Sequence, residues 1–296
     1  MLENYSNILE NEKKANFFEA DFESLKKEVL EILKSCELCE RKCRVNREKG
    51  EKGYCRAPNH LLISSEFLHF GEEYFLIPSH TIFFMGCNFS CIYCQNWEIS
   101  WWYEEGYSIT PKELAGIIVR RVREGAKNVN FVGGEPLPYL KNILEVLEIL
   151  KERKVNIPIV WNSNFYHSAI VSKILNEIVD LYLPDFKYGN DECARDLSGV
   201  ENYFRIITRN LLSIDFGKAD LCIRHLVLPN HTQCCSFKIL EWIRDNLGDK
   251  CLINLMDQYR PCFKAKERRD ISRPVLPREF NSVIRKAEEL RLNYLR

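Results

Sequence analysis

Net charge is the first thing this 296-residue chain lacks: 42 lysines and arginines balance 42 aspartates and glutamates. That balance removes any global attraction to nucleic acid or to an anionic membrane, so neither is expected as a partner unless a local patch provides the charge. No apolar run approaches the length of a bilayer-spanning helix. The opening stretch MLENYSNILENEKKANFF lacks the basic and apolar regions of a signal peptide, and the expected location is cytoplasmic. Low-complexity tracts are absent, and no repeat is visible beyond a strand-helix unit. What is there is an ordinary globular composition, 46% hydrophobic, in a chain long enough for one large α/β domain.

Cysteine is abundant, with thirteen in all. In a cytosolic chain of this length, clustered cysteines are more often metal ligands or catalytic thiols than disulfides. Three of them, Cys87, Cys91 and Cys94, lie in GCNFSCIYCQNW with no fourth in reach. Thiolates are preferred ligands of iron-sulfur clusters, and a [4Fe-4S] cluster held by three cysteines keeps one iron free for a substrate or cofactor. As in a catalytic zinc site, the missing protein ligand separates a reactive centre from a structural one. A second group, Cys36, Cys39, Cys43 and Cys55, follows C-x2-C-x3-C-x11-C and offers four ligands to a closed site. Zinc or an auxiliary iron-sulfur cluster would each organise so polar a segment, although the spacing is not that of a bacterial ferredoxin. The basic run around these cysteines reads as the solvated face of a metal knuckle.

Residues 23–34 have the apolar spacing of an amphipathic helix. Strands are expected at 81–86, 128–132, 157–161, 178–183, 222–228 and 251–256, with helices at 110–125, 139–153, 168–178 and 236–248. Alternation of this kind implies right-handed βαβ units and a parallel sheet. Six strands fit a partial (β/α)6 TIM-type barrel of the α/β class, with an open doubly wound sheet as the alternative. The expected division is an N-terminal helix and four-cysteine metal-binding segment over 1–78, then the barrel with a C-terminal extension over 79–296. In either architecture the reactive groups belong at the carboxyl ends of the strands, where the three-cysteine loop begins.

C-x3-C-x2-C with Tyr93 before its last cysteine resembles the signature of the radical S-adenosylmethionine (SAM) superfamily. VGGEP at 132–136 resembles the superfamily's strand-end motif that receives the amino group of SAM, which implicates Gly133, Gly134 and Glu135. LPDFKY places Asp185 and Lys187 like an Asp-x-Lys pair found at the SAM site of glycyl-radical activating enzymes, and WNSN places Asn162 and Ser163 at the preceding strand end. More closely, the chain is similar to the pyruvate formate-lyase activating enzyme-related (PflX-like) family. The matching stretches are CELCERKCRVNREKGEKGYC, FLHFGEE, IFFMGCNFSCIYCQNWEIS, NVNFVGGEP, VDLYLPDFKY, RHLVLPNHTQCC and NLMDQYRPCFKA, which span about residues 36 to 290. The resemblance implies a partial barrel carrying a [4Fe-4S] cluster and SAM. It also implies reductive cleavage of SAM to methionine and a 5′-deoxyadenosyl radical, with an electron from reduced flavodoxin or ferredoxin. Activating enzymes act on a glycine in a polypeptide, so a peptide or protein substrate is favoured over a small metabolite. The chain departs from the activases in carrying its extra cysteines before the cluster loop.

Arg224, near a strand terminus, suits bidentate capture of a carboxylate, either that of SAM or that of a peptide. Cys234 and Cys235, with His225 and His231 nearby, could face the substrate or serve as further ligands, although adjacent cysteines at a helix start are more often packing. Cys222 and Cys251 read as core, while Cys193 and Cys262 carry no assignment. The aromatic run WEISWWYEEGY reads as a lip or cap over the cluster, or as core. Two rival classes are an electron carrier, which would give its cluster four protein ligands, and a zinc nucleic-acid module, which the absence of net charge disfavours.

Overall fold

The computed structural model describes residues 2–295. Helices α1 (Glu3–Leu9) and α2 (Phe22–Lys34) precede the four-cysteine segment, whose regular structure is a single 3₁₀ turn at Arg47–Lys49. Strands β1 (Leu62–His69) and β2 (Ser79–Phe84), the short helix α3 (Trp97–Ser100) and the two-residue strand β3 (Tyr107–Ser108) follow. The chain then alternates through α4 (Pro111–Arg123), β4 (Asn128–Gly133), α5 (Leu140–Glu152), β5 (Ile159–Ser163), α6 (Ala169–Asn176) and β6 (Leu181–Pro184). Two helices, α7 (Asp191–Ser198) and α8 (Tyr203–Leu212), lead to β7 (Asp220–Leu226), α9 (Lys238–Asn246), β8 (Leu252–Met256) and α10 (Pro277–Glu289).

The sheet has eight strands in the order β3-β1-β2-β4-β5-β6-β7-β8. Six of them, β2 and β4 to β8, run parallel and are the six expected from sequence. β1 and β3 extend the sheet antiparallel beyond β2, so a strand from the first 78 residues is hydrogen-bonded into the barrel. Local chemistry accounts for the helices. α4 starts at a capping box in which Thr110 and Glu113 satisfy each other's backbone donors, with Pro111 at its first position. It buries Leu114, Ala115 and Ile118 on one face and places three arginines in its last turn, where the helix dipole favours cations.

The sheet curls into a partial barrel, as one loop shows. Glu72, in the turn after β1, accepts from Asn130 on β4 (3.4 Å) and pairs with Arg224 on β7. Glu73 takes Arg224 in a two-point pair (2.7 Å each) and accepts from Asn254 on β8 (2.7 Å). Only a curved sheet brings these three strands to one loop. The N-terminal segment closes the amino ends of the strands. There the Tyr5 backbone N–H donates to Asp220 (2.8 Å), Asn128 donates to the Tyr5 hydroxyl (2.8 Å), and the Asn16 and Ile159 N–H groups both donate to buried Asp180 (2.8 Å each). With one end sealed, the carboxyl ends of the strands hold the accessible cavity. Among the described residues no helix is long and apolar enough to cross a membrane.

Candidate active site

At the carboxyl end, β2 stops at Phe84 and Gly86, at φ 79°, turns the chain into the three-cysteine loop. Cys87, Cys91 and Cys94 line a cavity of about 250 Å³. Tyr93 from the same loop, Gly133, Gly134 and Glu135 from the end of β4, and Asn162 and Ser163 from β5 share that cavity with them. Asp185 and Lys187 beyond β6 and Arg224 on β7 complete the wall. Every residue assigned to SAM or to the three-thiol site from sequence is therefore in one place. The two glycines are there for space. A Cβ on Gly133, whose φ is 114°, would lie 2.1 Å from the Phe84 nitrogen, and one on Gly134 would lie 2.0 Å from the Gly86 carbonyl oxygen. The end of β4 thus rests directly on the turn that launches the cysteine loop.

Burial pushes all three thiols up, Cys94 to about 11, so without a ligand on the sulfurs they stand as neutral thiols at neutral pH. Polar groups already address those sulfurs. The Phe89 backbone N–H donates to Cys87 (3.3 Å), Asn164 reaches the same sulfur (3.7 Å), Ser198 meets Cys91 (2.9 Å) and Ser100 meets Cys94 (3.6 Å). A buried chain of hydroxyls runs from Tyr93 to Tyr188 (2.7 Å) and from Tyr188 to Ser198 (2.5 Å). Sequence reasoning missed Asn164, Tyr188 and Ser198. Ser198 lies 107 positions from the cysteine it contacts, and no spacing rule connects the two.

Glu135 is buried and accepts from Ser163 Oγ (2.7 Å) and from the N–H groups of Asn164 (3.0 Å) and Leu137 (3.3 Å). Desolvation outweighs those three donors and raises its carboxyl to about 7. Asp185 and Lys187 form a 2.6 Å ion pair. Burial alone would lower Lys187, but the Asp185 carboxylate and the neighbouring cysteines hold it above the ordinary lysine value. Arg224 differs from the sequence expectation in one respect. Its guanidinium already holds a carboxylate bidentately, and that carboxylate is Glu73 of this chain.

Cys36, Cys39, Cys43 and Cys55 gather around a smaller cavity lined also by Arg47, Gly53 and Asn88. The Tyr54 N–H donates to Cys43 Sγ (3.3 Å), and Arg41 donates to the Asn88 carbonyl (2.8 Å), linking this segment to the residue after Cys87. Arg47 is buried and donates to the backbone carbonyls of Pro138 and Pro58 (2.7 Å each), leaving its positive charge beside the four thiols. Cys222 and Cys251 are core residues. The aromatic run is only partly core: Trp97 stacks on Phe263 at 5.4 Å, Trp101 lines the cavity, and Tyr103, 64% exposed, packs edge-on against both Trp97 and Phe263.

Residues 81–243 match the Radical SAM superfamily. The chain is 46% identical over 294 residues to the uncharacterized protein MJ0674 of Methanocaldococcus jannaschii, covering 95% of this chain and 84% of that protein. It is 26% identical over 150 residues to the pyruvate formate-lyase 1-activating enzyme of Escherichia coli, covering 50% of this chain and 60% of the enzyme. Among solved structures, Streptococcus suis SuiB bound to its precursor peptide SuiA shares the fold at a TM-score of 0.53 and 16% identity. That match covers 71% of this chain and 46% of SuiB, so this chain spans less than half of SuiB's length.

Proposed function

The chain belongs to the radical SAM superfamily, whose members carry a [4Fe-4S] cluster and use SAM, and we propose that this one reacts with a peptide or protein substrate. In our reading Cys87, Cys91 and Cys94 hold the cluster, and SAM occupies the cavity they line. The observation that carries it is the meeting of three thiols, the Gly-Gly-Glu turn and the Asp185–Lys187 pair in that cavity. Unspent hydrogen-bonding capacity supports the fit. Asn162 Nδ2 and Trp101 Nε1 belong to cavity-lining residues, yet both donors are buried without a partner. Held by Cys87, Cys91 and Cys94, the cluster would supply the one-electron chemistry for reductive cleavage of SAM, by which hydrogen would be taken from the substrate. The chain's own part is to hold and orient. Glu135 accepts from the amino group of SAM, Asn162 donates to one of its acceptors, and the buried walls exclude water.

The N-terminal cysteines suit an auxiliary iron-sulfur cluster better than zinc. The buried Arg47 guanidinium would offset part of the negative charge of a thiolate-bound cluster. Asn88, beside Cys87, lines this second cavity, so a cluster here would adjoin the first as a relay from reduced flavodoxin or ferredoxin. The polypeptide reading draws on the similarity to the activating enzyme and on the aromatic lip formed by half-buried Trp97, Trp101 and Phe263 with exposed Tyr103, a surface suited to peptide side chains. An anaerobic preparation should bind about eight irons per chain and form 5′-deoxyadenosine with dithionite and SAM. Given a deuterated protein extract freed of small molecules, it should carry deuterium into that product; transfer from the small-molecule fraction alone would replace the polypeptide reading with a metabolite. A fully loaded protein that neither binds nor cleaves SAM would be an electron carrier instead.

The Glu135 carboxyl sets a pH signature. Its folded value of about 7 lies above the ordinary unfolded value of about 4.3, so its stabilising contribution is complete at low pH and is lost as pH rises through 7. SAM binding, which needs the charged carboxylate as acceptor, runs the other way. Affinity should rise about tenfold from pH 6 to pH 8, and Glu135→Gln should remove that component and weaken binding by about 1.5 to 3 kcal/mol. Calorimetric titrations with the two proteins would check this, and equal pH slopes would remove Glu135 from the SAM site.

A further inference from the structure

Cys193, His231, Cys234 and Cys235 come from two parts of the chain that neither the superfamily signature nor the N-terminal cysteine group includes. Their ligand atoms all lie within 4.8 Å of one another. Cys193 sits in the first turn of α7. The other three belong to the connection between β7 and α9, where Thr232–Phe237 form a π-helical turn. A π turn is wider than an α turn, and here it sets the two adjacent cysteine sulfurs 3.9 Å apart on one side. Cys193 Sγ is 3.9 Å from Cys234 Sγ and 3.6 Å from His231 Nδ1, which is 3.4 Å from Cys234 Sγ. Zinc bonds of about 2.3 Å to sulfur and 2.0 Å to nitrogen, at tetrahedral angles, put sulfurs about 3.8 Å apart and sulfur and nitrogen about 3.5 Å apart. Four of the six edges already stand near those lengths, and the other two, from Cys235 to Cys193 and to His231, are within 4.8 Å. All the cysteines are free thiols, and a 3.9 Å separation is far from a disulfide bond. A cubane cluster attaches its ligands to separate irons and would need them further apart.

The surroundings match a metal-bound imidazole. His231 turns Nδ1 to the sulfurs and Nε2 toward the Asp270 carboxylate at 3.5 Å, where Nε2 is buried without a hydrogen-bond partner; a small shift would make Asp270 the outer partner that fixes the tautomer of a zinc-binding histidine. Asp270 is in turn held by Arg268 at 2.8 Å. Asn190 donates to Cys193 Sγ (3.3 Å) and to the Cys234 carbonyl (2.8 Å). A Cβ on Gly189 would lie 2.6 Å from the Cys235 carbonyl oxygen, so the two segments touch backbone to backbone beside the four ligands.

We propose that Cys193, His231, Cys234 and Cys235 form a closed tetrahedral zinc site that ties the first turn of α7 to the β7–α9 connection. Four protein ligands leave no open position, so the ion is structural. What it steadies is α7. At the far end of that helix the Ser198 and Leu197 carbonyls accept from the N–H groups of Ser90 and Ile92 (3.0 Å each), and Ser198 Oγ meets Cys91 Sγ. The ion thus braces the three-cysteine loop from behind, whether or not that loop binds SAM.

Zinc and iron would be counted by mass spectrometry in the full chain, purified anaerobically with its clusters loaded. One zinc per chain is expected, lost in Cys193→Ser/Cys234→Ser with iron unchanged and kept in Cys36→Ser/Cys39→Ser. Cobalt exchanged into the same site should give tetrahedral thiolate absorption in the parent that the first double variant lacks. Asp270→Asn, which keeps all four ligands, should raise the zinc dissociation constant about 10- to 100-fold in competition with a chelator. Absence of zinc from the parent, equal zinc in Cys193→Ser/Cys234→Ser, a Cys193–Cys234 disulfide in the anaerobic protein, or unchanged zinc affinity in Asp270→Asn would each overturn the site. If the double variant lost iron as well, the Asp270→Asn measurement alone would decide.

Discussion

Cys91→Ala is expected to reduce 5′-deoxyadenosine formation to the uncatalysed background and to lower the iron content by about four per chain, the content of one cubane cluster. The size of the effect follows from what the residue would do. Two thiols cannot hold the cluster that carries the chemistry, and nothing else among the three-cysteine loop residues can replace the third. The fold should survive the change. The Cys91 sulfur has one hydrogen-bond partner, the Ser198 hydroxyl, and that hydroxyl keeps Tyr188 at 2.5 Å. Loss of the contact should cost about 1 kcal/mol, small beside a domain's stability of about 5 to 15 kcal/mol. The N-terminal cysteines do not share Cys91, so their metal should remain, and Cys36→Ala should show the converse pattern with the three-cysteine iron retained. Iron analysis and product mass spectrometry on the two variants separate the sites. Cleavage of SAM retained by Cys91→Ala would remove the loop from the reaction.

Much of this arrangement is legible in the residues themselves, and the illegible part has physical causes. The six parallel strands are short β-branched runs separated by helices, a local signal, and the structure moves their ends by no more than about three residues. β1 is different. Its sequence LISSEFLH carries Ser-Ser-Glu at its centre, because Glu66 turns to His80 (2.8 Å) and Arg121 (2.9 Å) rather than to solvent. A pattern rule discounts a strand with a charge in its middle, and the compensating partners lie 14 and 55 positions away. Arg224 shows a related limit. Its chemistry as a carboxylate receptor is readable from residue type and position, but whether the carboxylate is a ligand's or the protein's depends on where the turn after β1 lands. Cys193 had no reading at all, since its partners begin 38 positions later and only the return of β7 beside β6 brings them together. Motif spacing finds ligands that share one loop, whereas sites assembled between loops need the topology.

Gly133→Ala should destabilise the protein by about 2 to 6 kcal/mol and with it remove SAM binding. Two costs coincide at this position. The residue has φ 114°, outside the range L side chains adopt, which costs about 1 to 3 kcal/mol. The added Cβ would also lie 2.1 Å from the Phe84 nitrogen and 2.6 Å from the Phe84 oxygen. Both atoms are backbone, and Phe84 pairs with Gly133 in the parallel ladder, so neither can retreat without opening β2 from β4. Overpacking against atoms that cannot yield adds about 1 to 3 kcal/mol more. Gly125 isolates the first cost, because its φ is 99° but nothing lies within 4 Å of its Cβ direction. Gly125→Ala should therefore lose only that first cost, about 1 to 3 kcal/mol, and keep SAM binding. Urea unfolding followed by tryptophan fluorescence would compare the two variants, with calorimetry for SAM. Equal losses would mean that the β2–β4 contact relaxes at little cost, and then the close approach of the Gly-Gly-Glu turn to the cysteine loop would not be what shapes the cavity.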